Sequence, residues 1–409
     1  MFVRGGDASF NKVVIDGVPS NDIGGGTDLA QLSMTAVDRV EVLRQANSVL
    51  SGTDALAAII SVTTPRGATR TPQASFMLDG GTLATTHASA SLGGVLGRMD
   101  YFSQISRLGT NNEGPNNRYR NTTYAGRFGA AVGRKTDVTG TVRWIDRRYE
   151  SPNGRSLYGV ADDYSQTNRV ALLGVGGETQ FSERWQGTVR LAVSDQRLDY
   201  NNPTLSGEDI FGVGFGAPVT ITGANGYRAT GRAALDFGPY SGGSRSARRG
   251  LYARTTYDLT HGIAVSAGGH YEREQAFADP DADPTTTRDT RAFWVEGRGA
   301  IANRVSVAAG LGHAHIEGYA SRVAPRLSVG VFLRRTAADA AWGDTRVTLN
   351  AGRGIKATSA TAVDRSLYTL LRKTPAGEAL ATSAGIGPIG PERGRNFDVG
   401  VEHDFWHGR

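Results

Sequence analysis

The chain has 409 residues, a net charge of +6 and no cysteine. That length exceeds one ordinary core and suggests two unequal units. The missing thiols exclude disulfides, thiolate metal sites and cysteine nucleophiles. Mean hydropathy is −0.32, and no apolar run reaches the roughly 18 residues of a membrane helix; Ala55 to Ile60 is the densest stretch. A membrane β-barrel stays open, because alternating strands leave hydropathy low. The 55 glycines and 14 tyrosines favour an all-β chain with many turns. Nearly all the positive charge is arginine, spread through alternating segments, which argues against nucleic acid as a partner.

Residues 1–68 read as a small α/β unit. Lys12 to Ile15 is a short strand, and Asp16-Gly17 is a turn. Val18 to Asp28 is a loop containing Pro19, Asn21, Asp22 and the glycines Gly24, Gly25 and Gly26. It lacks the glycine spacing of a nucleotide-binding turn, and a flexible linker is its plain reading. Leu29 to Ala36 holds at most a helical turn. The stretch Val37 to Gly67 then reads as strand, helical turn, strand. Arg39 to Arg44 alternates, Asn47 can cap a helix over Ser48 to Ser51, and Gly52 can end it. Ile59 to Thr64 is β-branched except at Ser61, and Pro65 and Gly67 close the unit.

From residue 73 the period becomes two. Trp185, Gly187, Val189, Leu191 and Val193 share one face, and Gln186, Thr188 and Arg190 the other. Val138, Gly140, Val142 and Trp144 oppose Thr139, Thr141 and Arg143 in the same way. Phe397, Val399 and Val401 oppose Asp398 and Glu402. Strands of about ten residues with one apolar and one polar face suit a transmembrane barrel. A soluble β-sandwich also alternates, but its inner face needs large aliphatic residues. Here the apolar face is often Gly, Ala or Val and the polar face is dense in arginine, which a polar lumen accommodates. Short turns at Gly133 to Thr136, Phe181 to Glu183 and Ala302-Asn303 alternate with long connections. The long ones are Leu108 to Asn121, Glu150 to Thr167, Leu198 to Gly226 and Gln275 to Asp289. The expected fold is an antiparallel transmembrane barrel wall of about 14 or 15 strands over residues 73–409, preceded by the α/β unit.

Several motifs together resemble the TonB-dependent outer-membrane receptors. Val14-Ile15-Asp16-Gly17-Val18-Pro19 looks like the family's I-D-G-V strand and turn. Val37 to Arg44, VDRVEVLR, resembles V-E-R-I-E-V-L-R. Ser48 to Leu56 is similar to S-x-L-Y-G-S-x-A-L, and Ile59 to Thr63 to V-I-N-I-x-T. Arg4-Gly5 looks like an earlier R-G, and Pro391 to Gly400 resembles the P-E-x-x-x-N-x-E-x-G barrel strand. The resemblance implies a monomeric outer-membrane barrel of about 22 strands, plugged by an N-terminal domain. It implies import of a small nutrient such as a ferric siderophore or cobalamin, energised by the TonB complex, with no cofactor and no catalysis. Against that pattern, residues 1–68 hold only the C-terminal part of a plug. A signal peptide, a TonB box and about seven closing strands are wanting, so the expectation is a piece of a longer receptor. Ala57-Ala58 stands where the family has Gly-Gly; a positive φ there would cost about 1 kcal/mol.

Candidate sites follow from the same resemblance. Asn21, Asp22, Gly24, Gly25, Gly26, Thr27 and Asp28 match the plug loop that faces ligand. Arg4 and Arg44 match plug arginines that face wall carboxylates, and Glu272, Glu274 and Glu296 sit on strands able to supply them. Asp279, Asp281 and Asp283 alternate in a long loop, but they lack the glycine and terminal glutamate of a calcium loop. His313 and His315 continue the apolar row Val305, Val307, Ala309 and Leu311, so they read as interfacial rather than as metal ligands. No nucleophile elbow is present, and no metal site is expected.

Overall fold

A computed structural model describes residues 7–27, 33–43, 55–151, 163–203, 208–210, 213–215, 218–222, 226–232, 240–335 and 342–405. The first sheet has the order β2-β1-β4-β3. Its strands are β1 (Asn11–Ile15), β2 (Val18–Pro19), β3 (Arg39–Leu43) and β4 (Ala58–Thr63). β1 and β4 run parallel, with Val13 opposite Ile60 and Ile15 opposite Val62. The expected Asp16-Gly17 turn is present, with positive φ at both residues, the tight hairpin geometry that suits Asp-Gly. Asp16 also accepts hydrogen bonds from Thr64 N at 2.7 Å and Thr64 Oγ1 at 2.6 Å, tying the turn to the end of β4. Ala57 and Ala58 are not among the residues of positive φ, so alanine is unstrained there. The expected helix over Ser48 to Ser51 and the first half of the Leu29 to Ala36 stretch lie outside the described residues.

Gly67 carries the chain out of this unit. A Cβ there would lie 2.2 Å from Gly94 O and 2.4 Å from Tyr101 O. Only glycine lets the backbone pass so close to the wall.

The second sheet holds fourteen strands in antiparallel neighbour order. They are β5 (Gln73–Gly81), β6 (Thr85–Leu96), β7 (Met99–Thr110), β8 (Tyr119–Val132), β9 (Thr136–Ser151), β10 (Tyr164–Ser182) and β11 (Trp185–Asn202). Two small hairpins follow, β12 (Glu208–Ile210) with β13 (Val213–Phe215), and β14 (Pro218–Thr222) with β15 (Arg228–Arg232). The wall resumes with β16 (Tyr240–Thr260), β17 (Ile263–Phe277), β18 (Thr286–Ile301), β19 (Val305–Ile316), β20 (Arg322–Arg334), β21 (Trp342–Lys356) and β22 (Glu392–Phe405). β11 pairs directly with β16, and the sheet ends at β5 and β22 without closing on itself among the described residues.

The alternation expected from sequence is the alternation of the wall. Arg143, Ile145 and Arg147 of β9 are buried on the inner face, while Val138 and Trp144 point outward and are exposed. Val189, Leu191, Val193, Leu251, Leu311, Phe397, Val399 and Val401 are likewise exposed on the outer face. Such a belt of large apolar side chains is what lipid requires.

Two expectations are corrected. Three of the four long connections are shorter than expected, at 111–118, 152–163 and 278–285, because the wall strands run further toward the rim; the fourth, 203–239, is longer because β16 begins only at Tyr240. Those strand ends are mostly polar, as in Arg147 to Ser151 of β9 and Ser165 to Asn168 of β10, so their period of two carries little hydrophobic contrast. The β21–β22 connection was also not foreseen as structured, yet it carries three short helices. These are α1 (Ala360–Asp364), α2 (Leu367–Leu371) and α3 (Pro375–Ser383). Thr374 caps α3 by accepting from Gly377 N, and Pro375 opens it, a start signal that was present in the sequence.

The small sheet sits on the inner face of the wall. Val13, Ile15, Val18, Ile60 and Val62 form one apolar cluster with Ile145, Val170, Leu172 and Ala192 from β9, β10 and β11. Its opposite face carries Lys12, Val14, Ile59 and Ser61 and lines a luminal cavity of about 730 Å³. The edge strand β3 is exposed along its whole length.

Candidate functional site

The loop after β2 is built around Asn21. Its Oδ1 accepts from Val13 N at 2.7 Å, and its Nδ2 donates to Asn11 O at 2.8 Å and Gly25 O at 3.3 Å. Asn21 is only 3% exposed, so its amide holds the loop together rather than facing a ligand. Gly24 has φ +63°, and a Cβ there would lie 2.6 Å from Thr358 O. Glycine is therefore required both for the turn and for the approach of the β21–β22 connection. Ala360 N donates to Ile23 O at 3.3 Å across the same junction. Thr27 Oγ1 donates to Ser20 O at 2.9 Å.

Asp22 faces the lumen, where Ser246 Oγ donates to it at 3.5 Å. Its side chain is open to the luminal space but ringed by wall. That enclosure raises its carboxyl above the usual range, against the opposing pull of Arg248 and Ser246. Asp28 lies outside the described residues.

Below the loop a buried ionic cluster joins plug sheet and wall. Lys12 of β1 meets Glu272 of β17 at 3.3 Å, and the two side chains are 1% and 0% exposed. Tyr252 donates to the same carboxylate at 2.5 Å. Glu274, two positions along on the same face, is gripped by two guanidinium groups. Arg248 donates to its Oε1 at 2.8 and 2.6 Å, and Arg288 to its Oε2 at 2.8 and 2.5 Å. Arg288 also donates to Thr358 O at 3.1 Å, so the cluster reaches the β21–β22 connection. Glu296 pairs with Arg326 at 2.7 Å within the wall. Arg4 and Arg44 lie outside the described residues; among those described, the plug cation on a wall glutamate is Lys12.

Further polar ties ring the plug. Ala36 has φ +52°, a conformation that strains a residue with a Cβ. Its N–H donates to Gln104 Oε1 at 2.8 Å. Arg143 donates to the carbonyls of Thr35 and Ala36, each at 3.1 Å. The Thr35 and Ser106 hydroxyls share a short hydrogen bond. Arg190 donates to Asp16 O, and Gln196 Nε2 to Ser20 O at 3.0 Å. Asn396 of β22 donates to Leu56 O at 2.7 Å. Nothing in the sequence singles out Lys12, Arg143, Arg190, Gln196 or Asn396 as functional. Each sits on the polar face of an alternating strand, where it looks like any luminal residue.

The remaining candidates resolve locally. Asp281 is held bidentately by Arg197, at 2.8 and 3.0 Å, which makes the acidic loop a loop-to-wall tether. His313 and His315 lie on the outward face with Leu311, and His315 Nδ1 is 3.0 Å from Ser321 Oγ. Among the described residues no group of three or more His, Asp or Glu could hold a metal ion.

A small mixed sheet, polar-tied to the inner face of an antiparallel wall with an apolar outer belt, is the arrangement of a plug against the wall of a membrane barrel. Comparison with known proteins agrees. The TonB-dependent Receptor Plug Domain model matches residues 1–59, and the TonB dependent receptor-like beta-barrel model matches residues 68–409. The chain belongs to the TonB-dependent receptor family and is an outer-membrane protein. It is 26% identical over 189 residues to the vitamin B12 transporter BtuB of Vibrio vulnificus (strain CMCP6), covering 42% of this chain and 30% of the transporter. Its fold is similar to that of the siderophore receptor PirA from Pseudomonas aeruginosa, with a TM-score of 0.64 and 16% identity, covering 98% of this chain and 65% of the receptor. The alcaligin outer-membrane receptor FauA from Bordetella pertussis gives a TM-score of 0.59 at 14% identity, covering 99% of this chain and 61% of that one. The chain thus spans less than two thirds of the length of these relatives.

Proposed function

We propose that the chain works in nutrient import across the outer membrane, with residues 1–68 as plug and 73–409 as barrel wall. A small nutrient, a ferric siderophore or cobalamin in chemical class, binds from the long-connection side against the plug loop. Energy passed through TonB then displaces the plug. The chemistry is binding and displacement, with no covalent step. The family is one of receptors and transporters.

The observation that carries this reading is how the plug is held. Its ties to the wall are mostly hydrogen bonds and ion pairs, through Lys12, Thr35, Ala36, Asp16, Ser20 and Leu56. Water and new polar partners can replace such bonds one by one, leaving the apolar cluster around Val13, Ile60 and Ile145 as the hydrophobic contact that a shifting plug must part. Within the loop, Asp22, Gly25, Gly26 and Thr27 are the groups we assign to ligand. Arg4 and Arg44 are proposed as further anchors, with the lipid belt outside and a single chain as the working unit.

The test is uptake of radiolabelled cyanocobalamin and of radiolabelled ferric siderophores by cells expressing the receptor. Accumulation should collapse on adding a protonophore or deleting TonB. Uptake that persists under both conditions would identify a passive channel instead.

A further inference from the structure

We infer that a ladder of tyrosines on the inner face of the long-connection rim binds an uncharged oligosaccharide. This adds a second ligand class, above the loop assigned to the small nutrient, and rests on the import reading. Five tyrosines take inward positions at the upper ends of neighbouring strands β8, β9, β10, β11 and β16. They are Tyr119, Tyr149, Tyr164, Tyr200 and Tyr240. Tyr119 and Tyr149 are register partners. From there the rings follow one another: Tyr149 to Tyr164 at 6.5 Å, Tyr164 to Tyr240 at 6.3 Å, and Tyr240 to Tyr200 at 6.1 Å between centroids. Every ring is at least partly open to the lumen.

Three of the rings are fixed by hydrogen bonds before any ligand arrives. Gln166 Oε1 accepts from both Tyr149 OH and Tyr164 OH, each at 2.7 Å. Asn121 Nδ2 donates to Tyr119 OH at 3.3 Å. A surface fixed in advance loses little entropy on binding. Its position also suits capture. Gln196 touches the plug loop at Ser20 O, and Tyr200 lies four residues further along the same face of β11. At the usual rise per residue that places the ladder about 13 Å above the plug.

The chemistry selects the ligand. The interplanar angles of 53°, 41° and 60° leave no two rings parallel, so no single flat aromatic can stack on several of them. A chain of sugar rings presents a succession of differently tilted C–H faces, which the negative π faces attract. Phenol and amide groups between the rings then match the sugar hydroxyls. Among the described residues, the arginines near the ladder face away from it, are buried or are paired. Arg120, Arg148 and Arg169 occupy outward positions on these strands. The inward Arg147 is buried, and Arg248 and Arg288 are both engaged by Glu274.

The test is calorimetric titration of the 409-residue chain, folded in detergent, with maltoheptaose and chitohexaose as neutral probes and a ferric tris-catecholate as the anionic one. Heat-modifiable mobility confirms that each variant is folded. At least one oligosaccharide should bind. Tyr164→Ala and Tyr240→Ala should each weaken it by about tenfold or more, equivalent to about 1.4 kcal/mol. Tyr164→Phe keeps the ring and should lose less than about threefold. Absence of oligosaccharide binding, or binding that survives both alanine substitutions, overturns the inference; uptake of another ligand would leave the import reading intact. Oligosaccharide binding lost in both alanine variants, without energised uptake, would uphold the ladder and overturn import.

Discussion

Glu274 bridges two arginines inside the lumen and is fully buried. Removing it leaves both buried and short of a counter-charge, which typically costs about 3–5 kcal/mol. Glu274→Ala should therefore lower the urea midpoint of unfolding markedly, read by electrophoretic mobility, whereas a rim substitution such as Glu113→Ala should leave it unchanged. Gly17 is demanding for a different reason. It has φ +80°, and a Cβ would lie 2.6 Å from the Arg190 guanidinium. Gly17→Ala should cost about 1 kcal/mol from the backbone alone, with a further loss as Arg190 is pushed off Asp16. The Asp16-Gly17 turn was legible in the sequence; Glu272 was expected to face Arg4 or Arg44, and among the described residues its plug partner is Lys12. Lys12 was not legible, because a lysine on the polar side of a short strand looks solvent-facing until the wall that buries it is known.

Strands were easier to read than their ends. Wherever one face meets lipid, as at Val189, Leu191 and Val193, the hydrophobic contrast fixes the strand and its inward partners. Above the belt that contrast vanishes, and β9, β10 and β11 run on unseen toward the rim. The acidic loop between β17 and β18 shows the same limit, since its tether to Arg197 joins residues 84 positions apart. That tether has a pH signature. Hydrogen bonding and charge from Arg197 hold the Asp281 carboxyl below its ordinary value of 3.8. A depressed pKa means the tether is fully present above the ordinary carboxylate range and is lost as pH falls through the lowered value. Hydrogen-exchange protection of residues 278–285, corrected for intrinsic rates, should hold down to about pH 4 and fall only below it. In Arg197→Ala it should be weak already at neutral pH. High salt should shift the wild-type loop the same way, because both groups are near the surface.

At the scale of the whole molecule, two units differ in how they are stabilised. The wall is secured by continuous antiparallel pairing and an outward apolar belt. The plug sheet has one small apolar patch and a ring of replaceable polar ties. The order of the units, and the reason a mixed sheet precedes a long all-β wall, were legible from motif and period. How the plug is fastened was not, since the pairs that fasten it join residues as far apart as Lys12 and Glu272 or Leu56 and Asn396. The central claim is that the plug must leave its seat for transport. Thr35 of the plug and Ser106 of β7 touch through their hydroxyls, and the chain contains no cysteine. A Thr35→Cys, Ser106→Cys double variant can therefore form one disulfide across that junction. The most direct measurement is energised nutrient uptake by cells carrying this variant, oxidised and then reduced. Uptake should be abolished on oxidation and restored by reductant, with ligand binding unchanged in both states. Full uptake with the disulfide intact would contradict a plug that has to move.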